Sequence, residues 1–174
     1  YAVNWGNSKY GQNPEPSGHA PFSHVKGDST KPRLTKLTMI TDGTSHTLLM
    51  SEVLKAWVHT DDDWRGDIYN DQAEFRFHTL IVPFSNPLIA MTPNSRSPDI
   101  LGRITATGDP LMPATASGVT GGIGDYTAAR SRHRGGVNAS FCDGSVRFIT
   151  DGIQATIWSA LGTMDGGEAI GNFD

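Results

Sequence analysis

The stretch Ser131-Arg132-His133-Arg134-Gly135-Gly136-Val137-Asn138-Ala139-Ser140-Phe141-Cys142-Asp143-Gly144-Ser145-Val146-Arg147-Phe148-Ile149 decides the fold. It reads as a β-hairpin turning at Asp143-Gly144, entered through a basic, glycine-containing segment. Asp-Gly is favoured in two-residue type I′ turns because both central residues need positive φ. That turn predicts a register. Phe141 faces Val146 and Ala139 faces Phe148 on one apolar side; Ser140 faces Arg147 and Cys142 faces Ser145 on the other. Period-2 alternation selects the same pairing.

After the hairpin, Thr150 or Asp151 can cap a helix that carries Ile153, Ile157 and Leu161 on one face, widened by Trp158 and ended by Gly162. Before it, Thr47 to Val53 is apolar and β-prone enough for a core strand, though periodicity alone does not choose between strand and helix there, and a short strand fits Tyr1 to Trp5. Residues 1–33 are otherwise irregular. Leu34, Leu37 and Ile40 recur at period three and predict a short helix ending at Asp42-Gly43. Glu74 to Val82 reads as a strand. Pro83–Arg130 shows little periodicity, and so long a segment predicts an arm ordered by neighbouring subunits or extended from its own core. The expectation is one α+β domain over residues 1–174: a small antiparallel sheet containing the Asp-Gly hairpin, short flanking helices and long loops.

With 20 glycines and 10 prolines in 174 residues, a helical bundle is disfavoured. The net charge of −4 gives no overall electrostatic argument for binding nucleic acid or an anionic membrane. Cys142 is the single cysteine, so no intrachain disulfide forms; it reads as a small, partly buried side chain beside a turn. No apolar run nears the roughly 18 residues that cross a membrane, and no signal peptide is evident. A chain beginning with Tyr1 is expected to be processed, truncated or visible only in part.

Three blocks carry a family resemblance. His133 is followed by nine residues and then Asp143-Gly144. Ile40-Thr41-Asp42-Gly43-Thr44-Ser45-His46-Thr47-Leu48-Leu49-Met50-Ser51-Glu52 is similar to an I-T-D-G-T-S-N-T-L-L-x-x-E signature, with His46 in place of Asn. Leu161-Gly162-Thr163-Met164-Asp165-Gly166-Gly167-Glu168 is similar to an L-G-T-x-x-G-G-E ending. In order and spacing these resemble the prepilin-type, processing-associated H-x9-DG domain family, itself largely uncharacterised. The resemblance implies the globular part of a pseudopilin-like protein located extracellularly, at the cell surface or in the periplasm. It also implies pilus-like or envelope assembly, with a membrane reached only through an N-terminal apolar helix absent from this sequence. His133, Asp143 and Gly144 are the motif residues, and each has a local structural reading: the histidine fixing the strand entry, the other two the turn.

Chemistry is sparser. The tail offers Asp165, Glu168 and Asp174 as Ca2+ ligands and loosely resembles the calcium loop of major pseudopilins; Asp61, Asp62, Asp63, Asp67 and Asp71 form a second acidic loop. A solvated acidic turn is the plain alternative for each. The histidines lack transition-metal spacing, and no G-x-S-x-G elbow or phosphate-binding loop is present. The Trp57–Glu74 region combines carboxylates with aromatic platforms. It supports an alternative reading as a secreted carbohydrate-binding module or glycan-active hydrolase using Trp57, Trp64, Asp61, Asp63 and Glu74. The leading expectation is a structural assembly protein without turnover; a solute-binding role is a third.

Overall fold

A computed structural model of the chain describes residues 1–7, 19–25, 28–55, 63–67, 75–81, 89–102, 104, 108–116, 125–171 and 173. Its centre is a five-stranded sheet. In chain order the strands are β1 (Ala2–Asn4), β2 (His24–Val25), β3 (Asp28–Pro32), β4 (Leu48–Ser51), β5 (Arg76–Phe77), β6 (Leu80–Ile81), β7 (Ile89–Ala90), β8 (Asp99–Leu101), β9 (Ala114–Ala116), β10 (Gly136–Phe141) and β11 (Val146–Thr150), followed by helix α1 (Ala155–Leu161). The sheet runs β11-β10-β4-β1-β5. Its pairs are antiparallel except β1 with β5, so the expected antiparallel sheet is mixed. Among the described residues, the strands with one helix and short 3-10 turns make an α+β fold.

The hairpin forms, with a different turn and register. Phe141 N–H donates to Ser145 O and Gly144 N–H to Phe141 O, both at 2.9 Å. Gly144 has φ +86°, whereas Asn94 is the one non-glycine described at positive φ, so Asp143 keeps a negative φ. This is a three-residue loop, Cys142-Asp143-Gly144, with glycine at the left-handed position. The extra residue slides the pairing by one: Ser140 faces Val146, Ala139 faces Arg147, Asn138 faces Phe148 and Val137 faces Ile149. Because side chains alternate, one step moves a whole set of residues to the other face. Val146 and Phe148, expected in the core, are 65% and 48% exposed, while Val137, Ala139, Phe141 and Ile149 are buried.

Helix α1 covers that buried face. Trp158 and Leu161 are fully buried against Leu48, Phe77 and Phe141, and Ile153 and Ile157 pack at the margin. The helix starts later than its expected caps allow, after Gln154, without a side-chain cap. Gly162 ends it in a right-handed conformation (φ −75°). Glycine is needed there for space, since a Cβ would overlap the Thr79 hydroxyl. The helix expected around Leu34, Leu37 and Ile40 is only a 3-10 turn, Leu37–Met39. Leu34 and Leu37 are exposed, so the period-three pattern has no core to serve. The strand expected over Glu74 to Val82 is split into β5 and β6.

The described parts of Pro83–Arg130 fold onto the body, which corrects the extended arm. Met91, Tyr126 and Ala128 form a second apolar cluster with Ile89 and Ile100. Trp158 Nε1 donates to Met91 O at 2.7 Å, tying this layer to α1. Periodicity missed it because polar groups hold it. Arg65 bonds Asp63 through Nε and Nη2 and Asp99 Oδ2 through Nη1 at 2.5 Å. Arg130 bonds the same Asp99 carboxylate through Nε and Nη2, and the carbonyls of Ser95 and Ser97. Asp99 Oδ1 also accepts from Ala128 N–H at 2.9 Å. These four side chains are 3% exposed or less.

Candidate functional site

The three sequence blocks converge around the hairpin. Glu52, which ends the first block, joins it to β10. Its Oε2 accepts from Asn138 N–H at 2.7 Å, and its Oε1 lies 3.2 Å from Asn138 Nδ2 and 3.1 Å from His133 Nε2. Cys142 N–H donates to Thr47 O and Asp143 N–H to Thr44 O, so the 44–47 turn carries the hairpin loop. Asp42 accepts from Gly166 and Gly167 N–H at 2.8 and 3.0 Å, docking the third block on the first.

Each motif residue therefore has a local task. Asp143 Oδ1 accepts from Ser145 Oγ and N–H. The bond from the Ser145 hydroxyl, then that from its backbone, holds the Asp143 carboxyl below the usual carboxylate range. Burial, with the Asp143 charge second, pushes the Cys142 thiol up to about 11. A thiol so rarely ionised at neutral pH is a poor nucleophile. His133 is mostly exposed, stands edge-on to Phe148 with ring centroids 6.5 Å apart, and helps line an open cleft of about 460 Å³ with Tyr1, Glu52, Val53 and Leu54.

Of the residues singled out for chemistry, the structure describes Asp63, Trp64, Asp67, Asp165 and Glu168. Asp63 is buried against Arg65 and faces no ligand surface. Burial lowers the Arg65 pKa, but the hydrogen bonds that Arg65 donates to Asp63 and the charges of Asp99 and Asp63 outweigh it and hold the guanidinium above its usual value. Trp64 is 44% exposed. Trp57, Asp61, Asp62, Asp71, Glu74 and Asp174 lie outside the described residues. In the tail, Asp165 bonds His19 Nδ1 and N–H, both at 2.6 Å, and Glu168 Oε2 lies 3.2 Å from Thr163 Oγ1. Among the described residues no three His, Cys, Asp or Glu side chains group as a metal site. No described helix is long and apolar enough to cross a membrane.

What sequence reasoning missed is the outer face of the sheet. β11 ends the sheet, and no described strand pairs with its far side. Ser145 and Asp151 bond back towards β10, through Phe141 N–H and Gly135 O. By the alternation of an antiparallel ladder, Val146 and Phe148 turn their N–H and C=O groups outward. Their side chains continue a row through Ser140, Met50 and Val3, all partly exposed. The one signal for this was the Val146–Phe148 alternation, assigned to the wrong face.

Together these features define an α+β domain whose motif residues hold its own chain in place. A family model described as a protein of unknown function (DUF1559) matches residues 3–156, and the chain belongs to that family. No curated protein and no solved structure matches it.

Proposed function

We propose that this domain works by association, as the globular part of an envelope or cell-surface assembly protein resembling a pseudopilin, and not by turnover. The edge strand β11 carries the reading. It offers outward backbone groups and the exposed side chains of Val146 and Phe148 together, without the charges or prolines on its solvent face that normally protect an edge. The partner is a second copy of the chain. Antiparallel pairing centred on Phe148 sets this ring against its counterpart and matches Val146 with Thr150. Pairing centred on Arg147 would set two like charges directly opposite, so the Phe148 register is preferred. The glycan reading keeps only Trp64 of its five residues within the described surface, with Asp63 engaged by Arg65.

Sedimentation across a concentration series tests the proposal. The native chain is expected to self-associate, and Phe148→Lys is expected to sediment as a monomer that keeps the native circular dichroism spectrum, because the side chain is 48% exposed. A native chain that stays monomeric at the highest concentration, or a variant that associates as well as the native chain, refutes it. Cleavage of a polysaccharide by the purified chain, lost on Trp64→Ala, would favour the glycan reading.

A further inference from the structure

A second cleft shares the segment from Arg130 to His133 with the first. It is about 410 Å³ in volume, and its lining includes Asn94, Arg96, Leu111, Arg132, Arg134 and Asp151. Arg96, Arg132 and Arg134 are all exposed. Arg132 pairs with Asp109 at 2.7 Å. Arg96 and Arg134 make no ion pair with any described residue. The chain has 14 Lys and Arg against 18 Asp and Glu, so three arginines in one cleft are a local concentration against the overall sign.

The walls are fixed before any ligand arrives. Asn94 adopts φ +51°, an unusual conformation for a residue other than glycine, and is held there from several sides. Its N–H donates to Ala129 O, its Oδ1 accepts from Ser131 N–H at 2.8 Å, and its Nδ2 donates to Asp151 Oδ1 at 2.7 Å. Ser131 Oγ donates to Gly136 O at 2.6 Å and accepts from His133 N–H. Arg130, beneath, clamps the carbonyls of Ser95 and Ser97 on either side of Arg96. The loops bearing Arg96 and Arg134 are thus bound to one framework, which lowers the ordering cost of binding. Guanidinium groups present planar forks of donors that match oxyanions, and Leu111 adds an apolar contact, 42% exposed.

We propose that this cleft binds a ligand carrying two or more oxyanionic groups, with Arg96 and Arg134 as its principal contacts and Arg132 shared with Asp109. The cleft borders the end of β11 at Asp151, but its test reads anion binding and not self-association, so the two proposals fail separately. Tripolyphosphate and a sulfated hexasaccharide are titrated calorimetrically into the full chain at low and physiological salt, with the neutral hexasaccharide as control. At least one anion is expected to bind with one-to-one stoichiometry, weaken with salt, and lose about tenfold or more in affinity in Arg96→Ala/Arg134→Ala. The responding probe identifies phosphate or sulfated glycan as the source. Both side chains are exposed, so the variant is expected to melt with the native chain. Binding of neither anion, equal binding of the neutral sugar, or undiminished binding by the double variant overturns the proposal.

Discussion

Asp99→Asn is the sharpest test of what holds the second layer to the sheet. Asp63 and Asp99 balance Arg65 and Arg130, and Asp99 serves both arginines and the Ala128 amide. Asparagine nearly preserves volume and shape, so the change isolates charge. It leaves a buried guanidinium without its counter-charge and turns an acceptor oxygen into a donor aimed at other donors. Removing one partner of a buried pair costs about 3–5 kcal/mol. The side chains of Asp99, Arg65 and Arg130 are 0–3% exposed, so solvent screening does not reduce that figure. For a domain of this size it lowers the melting temperature by about 6–20 °C. Urea denaturation followed by circular dichroism measures the loss, and Asp99→Asn/Arg130→Met, which restores neutrality, is expected to recover part of it. A loss below about 1 kcal/mol, as for an exposed ion pair, would refute the assignment of this cluster as the anchor.

The other expectations concern the hairpin and the tail. Gly144→Val should cost more than about 1 kcal/mol through backbone strain alone, because a Cβ there meets nothing within 4 Å; an unchanged melting temperature would contradict the left-handed loop position. Cys142 should react with thiol reagents about a hundredfold more slowly in the folded chain than in urea, since its pKa rises from 9.0 to about 11. The folded state holds this proton more tightly, so stability should decline as pH rises from 9.0 towards about 11; equal labelling rates in both states would oppose this. Ca2+ binding by the acidic tail through Asp165 and Glu168 predicts a melting temperature that chelator lowers and millimolar Ca2+ restores; no response to chelator would refute that reading.

How much of this was legible depended on the range of each interaction. Asp143-Gly144 announced a hairpin because turn chemistry is local. It did not fix the register, since Gly144 serves both a two-residue loop and a three-residue loop. The choice rests on the bonds from Ser145 to Asp143, and on carbonyls of Thr44 and Thr47 nearly a hundred residues away. The apolar run around β4 marked a core element without choosing between strand and helix, and the short strand expected over Tyr1 to Trp5 is β1. The buried cluster was not: Asp63, Arg65, Asp99 and Arg130 follow no period, and only tertiary closure makes them neighbours. The described parts of Pro83–Arg130 lacked a pattern for the same reason: their ladders are only two or three residues long, and Arg130 adds bonds to the loop carbonyls of Ser95 and Ser97. The arginine cleft was half visible as Arg132-His133-Arg134; Arg96 and the conformation of Asn94 were not.

The docking of the third sequence block also sets when this domain can form. Met164 exchanges backbone bonds with His19, Thr41 and Asp42, and Asn4 Nδ2 donates to Gly162 O, 158 positions away. Trp158 and Leu161, which seal the sheet, lie beyond the last residue matched by the family model. Synthesis delivers the strands first and their cover last. Until Trp158 and Leu161 have emerged from the ribosome, Leu48, Phe77 and Phe141 have no lid. The nascent chain must then cross the interval with its sheet-forming segments open to chaperones, or to one another.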